Sequence, residues 1–144
     1  MLYLARLSKE GRRTLIEFPD CPGCQTFAEP EEDVSEVARD ALEGWLEAHL
    51  EDGEAPPEPG RRRARPGTQQ LAVRIDPALA VRLQIRWARQ RAGLSQGQLA
   101  KRVGVTRQQI SLIEAKGGNL TLSTLERIAK ALNSEVDVDL VAAS

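Results

Sequence analysis

Both cysteines of this chain lie in one short stretch, FPDCPGC at residues 18–24, and are separated by two residues. Two thiols at this spacing can bind a metal ion or exchange a disulfide. A redox pair normally opens a helix, but this pair lies between two predicted strands and beside the negative charge of Asp20. A structural zinc site needs four ligands, and the chain has two cysteines and one histidine. We therefore predict a turn without a metal or cofactor, and a zinc ion shared between two chains is the alternative.

The prolines and the glycine of this stretch account for it as a turn. Pro19 has no backbone N–H to donate to a sheet, so it ends the strand before it. Pro22 and Gly23 supply a fixed φ followed by a positive φ, which a type II turn requires. The residue types here favour chain reversal over thiol chemistry.

The charges of the chain are unevenly divided between its two halves. Residues 1–60 contain five Lys or Arg and fifteen Asp or Glu, a net charge of −10. Residues 61–144 contain fifteen Lys or Arg and six Asp or Glu, a net charge of +9. This division predicts two surfaces with different partners, a cationic partner for the first half and a polyanion for the second. Chance clustering of charges is the alternative.

Length and composition indicate a globular chain in a reducing compartment. A chain of 144 residues is long enough for one ordinary domain or two small ones. Its apolar runs are too short to span a bilayer, and its first residues lack the apolar core and cleavage site of a secretory signal. Two cysteines do not make a disulfide framework. We expect a cytoplasmic protein that does not contact a membrane.

Periodicity predicts a different fold for each half. In residues 1–76 we expect β-β-β-α-β, in which residues 31–52 form an amphipathic helix with an acidic outer face. Four prolines and three glycines in residues 53–69 predict a flexible loop. Residues 77–144 have helical periodicity, and their alternating tail EVDVDLV predicts a last strand. The predicted class is α+β, with two domains that divide after residue 76.

The sequence LSQGQLAKRVGVTRQQISLIEAKGG, at residues 94–118, contains the sharpest local signals. Ser95 and Gln98 match a capping box that begins a helix. Gly104 allows the left-handed conformation needed between two closely spaced helices, and Thr106 caps the second of them. The stretch resembles the Cro/C1-type (XRE-like) helix-turn-helix family, and the resemblance extends over about residues 80–133.

The resemblance implies that the helix after Thr106 enters the major groove of DNA. Arg107 and Gln108 match positions that contact base edges, where Arg can bind guanine and Gln can bind adenine. Leu112 matches a contact with a thymine methyl group, and Gln96 matches a contact with backbone phosphate. The complete set of predicted DNA-binding residues is Gln96, Thr106, Arg107, Gln108, Gln109, Ser111, Leu112 and Lys116. Some domains of this architecture bind protein, which is the alternative.

The first half of the chain contains a second set of family signals. Residues 20–24, DCPGC, are an Asp-x-Pro-Gly turn with a following cysteine, and an acidic helix start, Trp45 and a Pro-rich loop come after it. These features resemble the HicB antitoxin family over about residues 1–75. The resemblance implies a partial RNase H-like fold. Cys21 stands where leucine is usual in that family, which agrees with a turn.

The two resemblances in this order imply the antitoxin of a type II toxin–antitoxin system that also represses its own operon by binding operator DNA. The implied protein partner is a small basic HicA-type toxin that cleaves mRNA, and an acidic domain can cover its cationic surface. The predicted toxin-binding residues are Glu17, Asp20, Glu43, Glu47 and Glu51.

We expect no catalysis, because the predicted strands offer one interior carboxylate, Glu17, whereas an RNase H-like nuclease needs several carboxylates around two metals. Operator binding by one small recognition helix predicts a homodimer or a higher homo-oligomer, with an outward-facing Trp87 and the tail strand as candidate contacts. Two other functions fit the sequence. One is a transcriptional regulator whose N-terminal domain senses a small molecule, and the other is a thiol- or zinc-dependent regulator.

Overall fold

The computed structural model describes residues 1–60, 67–118 and 120–143, which form four strands and five helices. The strands are β1 (Leu2–Glu10), β2 (Arg13–Glu17), β3 (Gln25–Ala28) and β4 (Gln69–Arg74). The helices are α1 (Val34–Glu51), α2 (Pro77–Arg91), α3 (Gln96–Val103), α4 (Arg107–Lys116) and α5 (Leu122–Ala131). This architecture confirms the predicted α+β class. Within the described ranges, no helix is both long and apolar enough to cross a membrane.

The chain divides into two compact units, a first unit of Met1–Leu83 and a second unit of Gln84–Ser144. The first unit contains 11 Lys or Arg and 16 Asp or Glu, and the second contains 9 and 5. The division falls inside α2. The assignment of separate functions to residues 1–76 and 77–144 stays a prediction.

The first unit is built on a four-stranded antiparallel sheet with the order β3-β2-β1-β4. Alternate strand residues are buried, as are residues at every fourth position of α1, which packs on β3 and β4. Prominent members of this core are Tyr3, Ala5, Ile16, Ala28, Ala38, Leu42, Leu46, Leu50 and Val73. The element order confirms the predicted β-β-β-α-β arrangement.

α1 begins at Val34, and the predicted start at residue 31 is wrong. The Asp33 side chain accepts hydrogen bonds from the backbone N–H groups of Ser35 (2.8 Å) and Glu36 (3.2 Å), so Asp33 is the cap. Residues 30–32 form a turn before it. Glu31, Glu32 and Asp33 therefore precede the first turn of α1, and Glu36 lies within it.

The loop after α1 is held in place where the structure describes it. Pro56 is buried, and the Tyr3 hydroxyl donates a hydrogen bond to the Pro57 carbonyl (3.1 Å). The backbone N–H of Gly60 donates to the Asp20 carboxylate (2.9 Å), and a methyl group added to Gly60 would lie 2.9 Å from that carboxylate. Residues 61–66, which belong to the predicted flexible loop, lie outside the described residues.

Local capping signals position the helices of the second unit. The Ser95 hydroxyl accepts from the N–H of Gln98 (3.1 Å), whose side chain accepts from the N–H of Ser95 (2.8 Å), as the predicted capping box requires. Gly104 has a φ of +83°, which confirms the left-handed link between α3 and α4. Arg127 of α5 donates to the carbonyl of Val103 at the end of α3 (2.6 Å). α3 packs against both α4 and α5.

Two expectations for this part of the chain are wrong. The tail, residues 135–143, forms neither helix nor strand, and Leu140 is 97% exposed. Alternation alone does not make a strand, because the backbone also needs a neighbouring strand as its hydrogen-bond partner. Trp87 is buried instead of facing outward. The buried residues in the second half of α2 are Ile85, Arg86, Trp87 and Arg89. They point to several sides of the helix, so Trp87 does not need to face outward.

Candidate nucleic-acid interface

α4 has one face directed into the second unit and one directed away from it. Ile110, Ile113 and Glu114 are buried and form the inner face. The opposite side of the helix we call the outer face of α4. It consists of Arg107, Gln108, Ser111, Leu112, Ala115 and Lys116, which line one shallow cleft together with Gln96.

Glu114 is an unusual residue for an inner face, because it is charged and only 1% exposed. The Nε atom of Arg89 donates to its Oε1 (2.6 Å), and the Nε2 atom of Gln96 donates to its Oε2 (2.6 Å). The Nη1 atom of Arg86 lies 3.5 Å from the same Oε2. Burying a carboxylate costs much free energy unless it is both paired and hydrogen-bonded, and here both oxygens have partners.

This buried ion cluster, formed by Glu114, Arg86, Arg89 and Gln96, ties α4 to two other helices. The arginines belong to α2, and Gln96 is the first residue of α3. Arg89 also donates through Nη1 to the carbonyl of Leu94, just before α3 begins (2.8 Å). Because Glu114 must point inward to reach these partners, the other side of α4 must point outward.

Reasoning from the sequence missed this role of Glu114 and counted it only among the six acids of residues 61–144. The sequence did contain a signal for it. Glu114 follows the apolar Ile110 by four residues, so the two residues lie on the same side of a helix. Arg86 and Arg89 are three residues apart and share one side of α2.

Five of the predicted DNA-binding residues belong to the outer face of α4. Arg107, Gln108 and Lys116 are exposed, Leu112 is 51% exposed and Ser111 is half-buried. The face therefore combines two cations, hydrogen-bonding groups and one large apolar side chain in a single cleft.

The other three predicted residues already make bonds within the second unit. Thr106 accepts from the N–H of Gln109 (3.1 Å), and the side chain of Gln109 accepts from the N–H of Thr106 (2.8 Å). This second capping box holds the start of α4. The side-chain amide of Gln96 is bonded to Glu114.

The predicted toxin-binding acids lie in different environments of the first unit. Glu43 Oε1 accepts from Nε of Arg39 (2.9 Å) and from the N–H of Asp76 (2.7 Å). Glu47 is exposed and lies 3.7 Å from Arg82. Glu43 is thus part of the internal hydrogen bonding of the unit.

The remaining predicted toxin-binding acids also lie in different environments. Asp20 is bonded to Gly60, Glu17 is half-buried on β2 opposite Arg6 of β1, and Glu51 is exposed at the end of α1. Exposed carboxylates instead follow one side of α1 and define what we call the acidic face of α1. Its members are Glu36, Asp40, Glu47 and Glu51.

The two cysteines lie in a hydrogen-bonded turn. The N–H of Cys21 donates to the carbonyl of Phe18 (3.0 Å), and the N–H of Cys24 donates to the carbonyl of Cys21 (2.9 Å). Gly23 has a φ of +87°, as the predicted turn requires. Both thiols are free and buried, and Cys24 Sγ lies 3.9 Å from the carbonyl oxygen of Ala41. The turn is confirmed, and its sulfur atoms belong to the core.

Burial raises the pKa of Cys21 to about 12, with contributions from Cys24 and Asp20, and raises the pKa of Cys24 to about 11. The thiolate is the reactive and metal-binding form, and the raised pKa values keep both groups protonated at neutral pH. In the described part of the chain, no three His, Cys, Asp or Glu side chains are grouped as a metal ion would need. His49 stacks on the Trp45 ring, with 3.9 Å between ring centroids.

The raised pKa values of the thiols predict a loss of stability at alkaline pH. Thiols in the unfolded chain ionise first, so the contribution of the two thiols to the free energy of unfolding is fully present below about pH 9 and falls as the pH rises toward their pKa values in the folded chain. Each thiol adds at most about 1.4 kcal/mol per pH unit to this slope. We measure the free energy of unfolding by urea titration at several pH values between about pH 8 and pH 10.5. This free energy should decrease less steeply with pH for Cys21→Ala/Cys24→Ala than for the wild type. An equal dependence on pH in the two proteins would contradict the raised pKa values of the buried thiols.

Loss of the Glu114 charge should destabilise the second unit. Glu114→Gln removes the negative charge that faces the buried guanidinium groups of Arg86 and Arg89, so the free energy of unfolding should fall by about 3 kcal/mol. Urea unfolding followed by Trp87 fluorescence measures this in a Trp45→Phe background, which removes the signal of the first unit. The control, Glu126→Gln, alters an exposed carboxylate and should change stability by less than about 0.5 kcal/mol. Equal effects of the two substitutions would refute the role of the cluster.

Family models match both parts of the chain. The model described as HicB-like antitoxin of bacterial toxin–antitoxin system matches residues 6–78, and a helix-turn-helix model matches residues 85–138. Antitoxin HicB 1 of Photorhabdus laumondii subsp. laumondii is 28% identical over 125 residues, which cover 87% of this chain and 77% of that protein. A solved HicA3 and HicB3 toxin–antitoxin complex matches 54% of this chain and 100% of its own chain, with 27% identity and a TM-score of 0.47. Since the antitoxin model spans half of the chain, this protein belongs to the HicB-like antitoxin family of bacterial toxin–antitoxin systems, and it carries a helix-turn-helix domain.

Proposed function

We propose that this chain neutralises a HicA-type mRNA-cleaving toxin and represses its own operon, as the antitoxin of a type II pair. One observation carries the proposal: a single chain combines the HicB-like antitoxin match at residues 6–78 with the helix-turn-helix match at residues 85–138. Both activities are binding activities, so the chain acts without catalysis. Its proposed partners are operator DNA and a toxin that cleaves mRNA, and from these partners we infer a cytoplasmic location.

In this proposal the outer face of α4 enters the major groove of operator DNA. Arg107 matches the two acceptors of guanine, and Gln108 matches the donor and acceptor of adenine. Lys116, at the far end of the helix, adds a phosphate contact. The other proposed contacts, by side chain or by backbone, are Gln96, Thr106, Gln109, Ser111 and Leu112. The buried ion cluster supports this docking, because it fixes the orientation of α4 in the chain without DNA, so that the outer face is already exposed.

A second copy of the chain completes the DNA-binding unit. One short recognition helix reads a single half-site, and a homodimer reads two half-sites about one helical turn, ~34 Å, apart. Exposed apolar side chains of α5 and the tail support such an assembly, since contact with a second copy would cover them. They are Leu122, Val138, Leu140 and Val141.

The acidic face of α1 is the proposed docking surface for the toxin. Its four carboxylates extend along the helix from Glu36 to Glu51, or about 22 Å, and present negative charge to a cationic partner, while Glu47 also lies 3.7 Å from Arg82. Such complementarity speeds association and competes with RNA for the same cations. Glu47 and Glu51 of the predicted set lie on this face, whereas Asp20 and Glu43 hold the first unit together.

Co-expression tests the antitoxin activity. The product of the neighbouring gene should arrest growth, and this chain should relieve the arrest. Asp40→Lys/Glu51→Lys reverses two charges of the acidic face and should weaken the toxin complex by about tenfold or more. The matched control, Asp137→Lys/Asp139→Lys, reverses two exposed charges of the tail and should leave the relief unchanged. A wild-type chain that gives no relief would contradict the proposal and favour a regulator that senses a small molecule.

Binding to the DNA upstream of the chain's own gene tests the repressor activity. Arg107→Ala should weaken this binding by about 1–3 kcal/mol and relax the preference at one base position. Fluorescence anisotropy at a fixed salt concentration measures the affinity, since phosphate contacts make it depend on salt. Arg91→Ala, an exposed arginine at the end of α2, is the control and should have little effect. An unchanged affinity in Arg107→Ala would count against docking through α4.

A further inference from the structure

The sheet of the first unit has a second face, opposite to the one on which α1 packs. Strand residues point alternately to the two sides, and Tyr3, Ala5 and Ile16 are buried on the side of α1. The residues between them point to the other side, which we call the far face of the sheet. Its larger side chains, none of which is buried, include Leu2, Leu4, Arg6, Leu15, Glu17 and Phe27.

The far face is more apolar than contact with water alone explains. When one face of an antiparallel sheet is in water, its residues are normally polar. Here Leu2 is 44% exposed, and Leu4, Leu15 and Phe27 are half-buried. Neighbouring apolar side chains on a surface are typical of a contact with another protein.

The apolar residues of the far face lie at its two ends. At one end, Leu15 is paired with Phe27 of the neighbouring strand β3. At the other end, Leu4 is paired with Ala72 of β4, and Leu2 is the next residue of β1 on this face. The far face therefore has two apolar ends, and polar residues lie between them.

Two opposite charges separate the apolar ends. Arg6 of β1 is directly opposite Glu17 of β2 in the register of the sheet. Both residues are half-buried, yet among the described residues neither side chain makes a hydrogen bond or an ion pair. Both groups can therefore accept an ion-pair partner from another molecule.

This arrangement is complementary to itself. Consider a second copy related by a two-fold axis that runs between β1 and β2, parallel to the strands, so that the two sheets are face to face. The axis exchanges β1 and β2, so Arg6 of each chain faces Glu17 of the other. It leaves positions along the strands unchanged, so each apolar end meets the same apolar end of the second copy.

We infer that the far face of the sheet is an interface with a second copy of this chain. It shares no residue with the acidic face of α1 or with the second unit, so it is distinct from the contacts proposed for toxin and DNA. It assigns Glu17 to the contact between copies. The face measures about 20 Å along β1 and about 19 Å across four strands, or about 400 Å² in each chain. An interface of this size forms a weak, reversible contact.

Charge reversal in the full-length chain tests this interface. Arg6→Glu places carboxylates against carboxylates, and Glu17→Arg places guanidinium groups against guanidinium groups. Each variant alone should therefore associate about tenfold more weakly than the wild type, or worse. An equimolar mixture of the two variants restores both ion pairs and should associate as the wild type does. Sedimentation velocity over a range of concentrations, at one low salt concentration and without DNA or toxin, measures the dissociation constant.

Three further samples exclude other causes. Asp40→Arg reverses an exposed charge on α1, matches the change in Glu17→Arg and should associate like the wild type. Leu15→Gln removes an apolar contact without reversing a charge and should weaken association severalfold, even where a reversed charge disturbs the fold. Circular dichroism of each variant shows whether it is folded, and mixing cannot rescue a variant that is not.

Two results would overturn the inference. One is a dissociation constant that is the same for the wild type, both charge variants and Leu15→Gln. The other is a Glu17→Arg chain that associates like the wild type but no longer relieves the growth arrest by the toxin, which would assign the far face to the toxin. Because neither DNA nor toxin is present in the sedimentation measurement, a failure of the proposed function would leave this interface standing.

Discussion

The burial of one carboxylate, that of Glu114, is the constraint on which the second unit depends. A charge removed from water must keep its partners, and here they come from α2 and from the start of α3. A rotation of α4 that turned Leu112 inward would carry Glu114 away from Arg89. The bonds of the buried Glu114 carboxylate therefore determine which side of α4 faces outward.

Segregation of charge allows one chain to serve two partners of opposite sign. Residues 96–116, which include α3 and α4, contain Glu114 as their one acidic residue, and because it is buried this segment contributes no carboxylate to the surface. The first unit places exposed acids along one side of α1 instead. Acidic groups next to the proposed DNA-binding surface would repel phosphate, and basic groups on the acidic face of α1 would repel a cationic toxin. In the proposed function, each surface thus favours its own partner and disfavours the other.

The features that could be predicted from the sequence act over a few residues. The capping box of Ser95 and Gln98 and the left-handed Gly104 depend on their immediate neighbours, so the boundaries of α3 and α4 were readable. The role of Glu114 depends on Arg89, 25 residues earlier, and a count of charges treats both as surface groups. The tail has the alternation of a strand but no neighbouring strand in the described chain, and periodicity alone does not supply one. The candidate site could therefore be proposed from the sequence alone, whereas the interaction that orients α4 became visible only in the structure.

The central claim is that the two partners bind different units of the chain, toxin on the acidic face of α1 and operator DNA on the outer face of α4. Hydrogen–deuterium exchange of the full-length chain, alone and with each partner, tests it most directly. The account predicts that DNA slows exchange in residues 96–116 and leaves residues 34–51 unchanged, and that the toxin has the opposite effect. Slower exchange of residues 96–116 with the toxin alone, or of residues 34–51 with DNA alone, would contradict it.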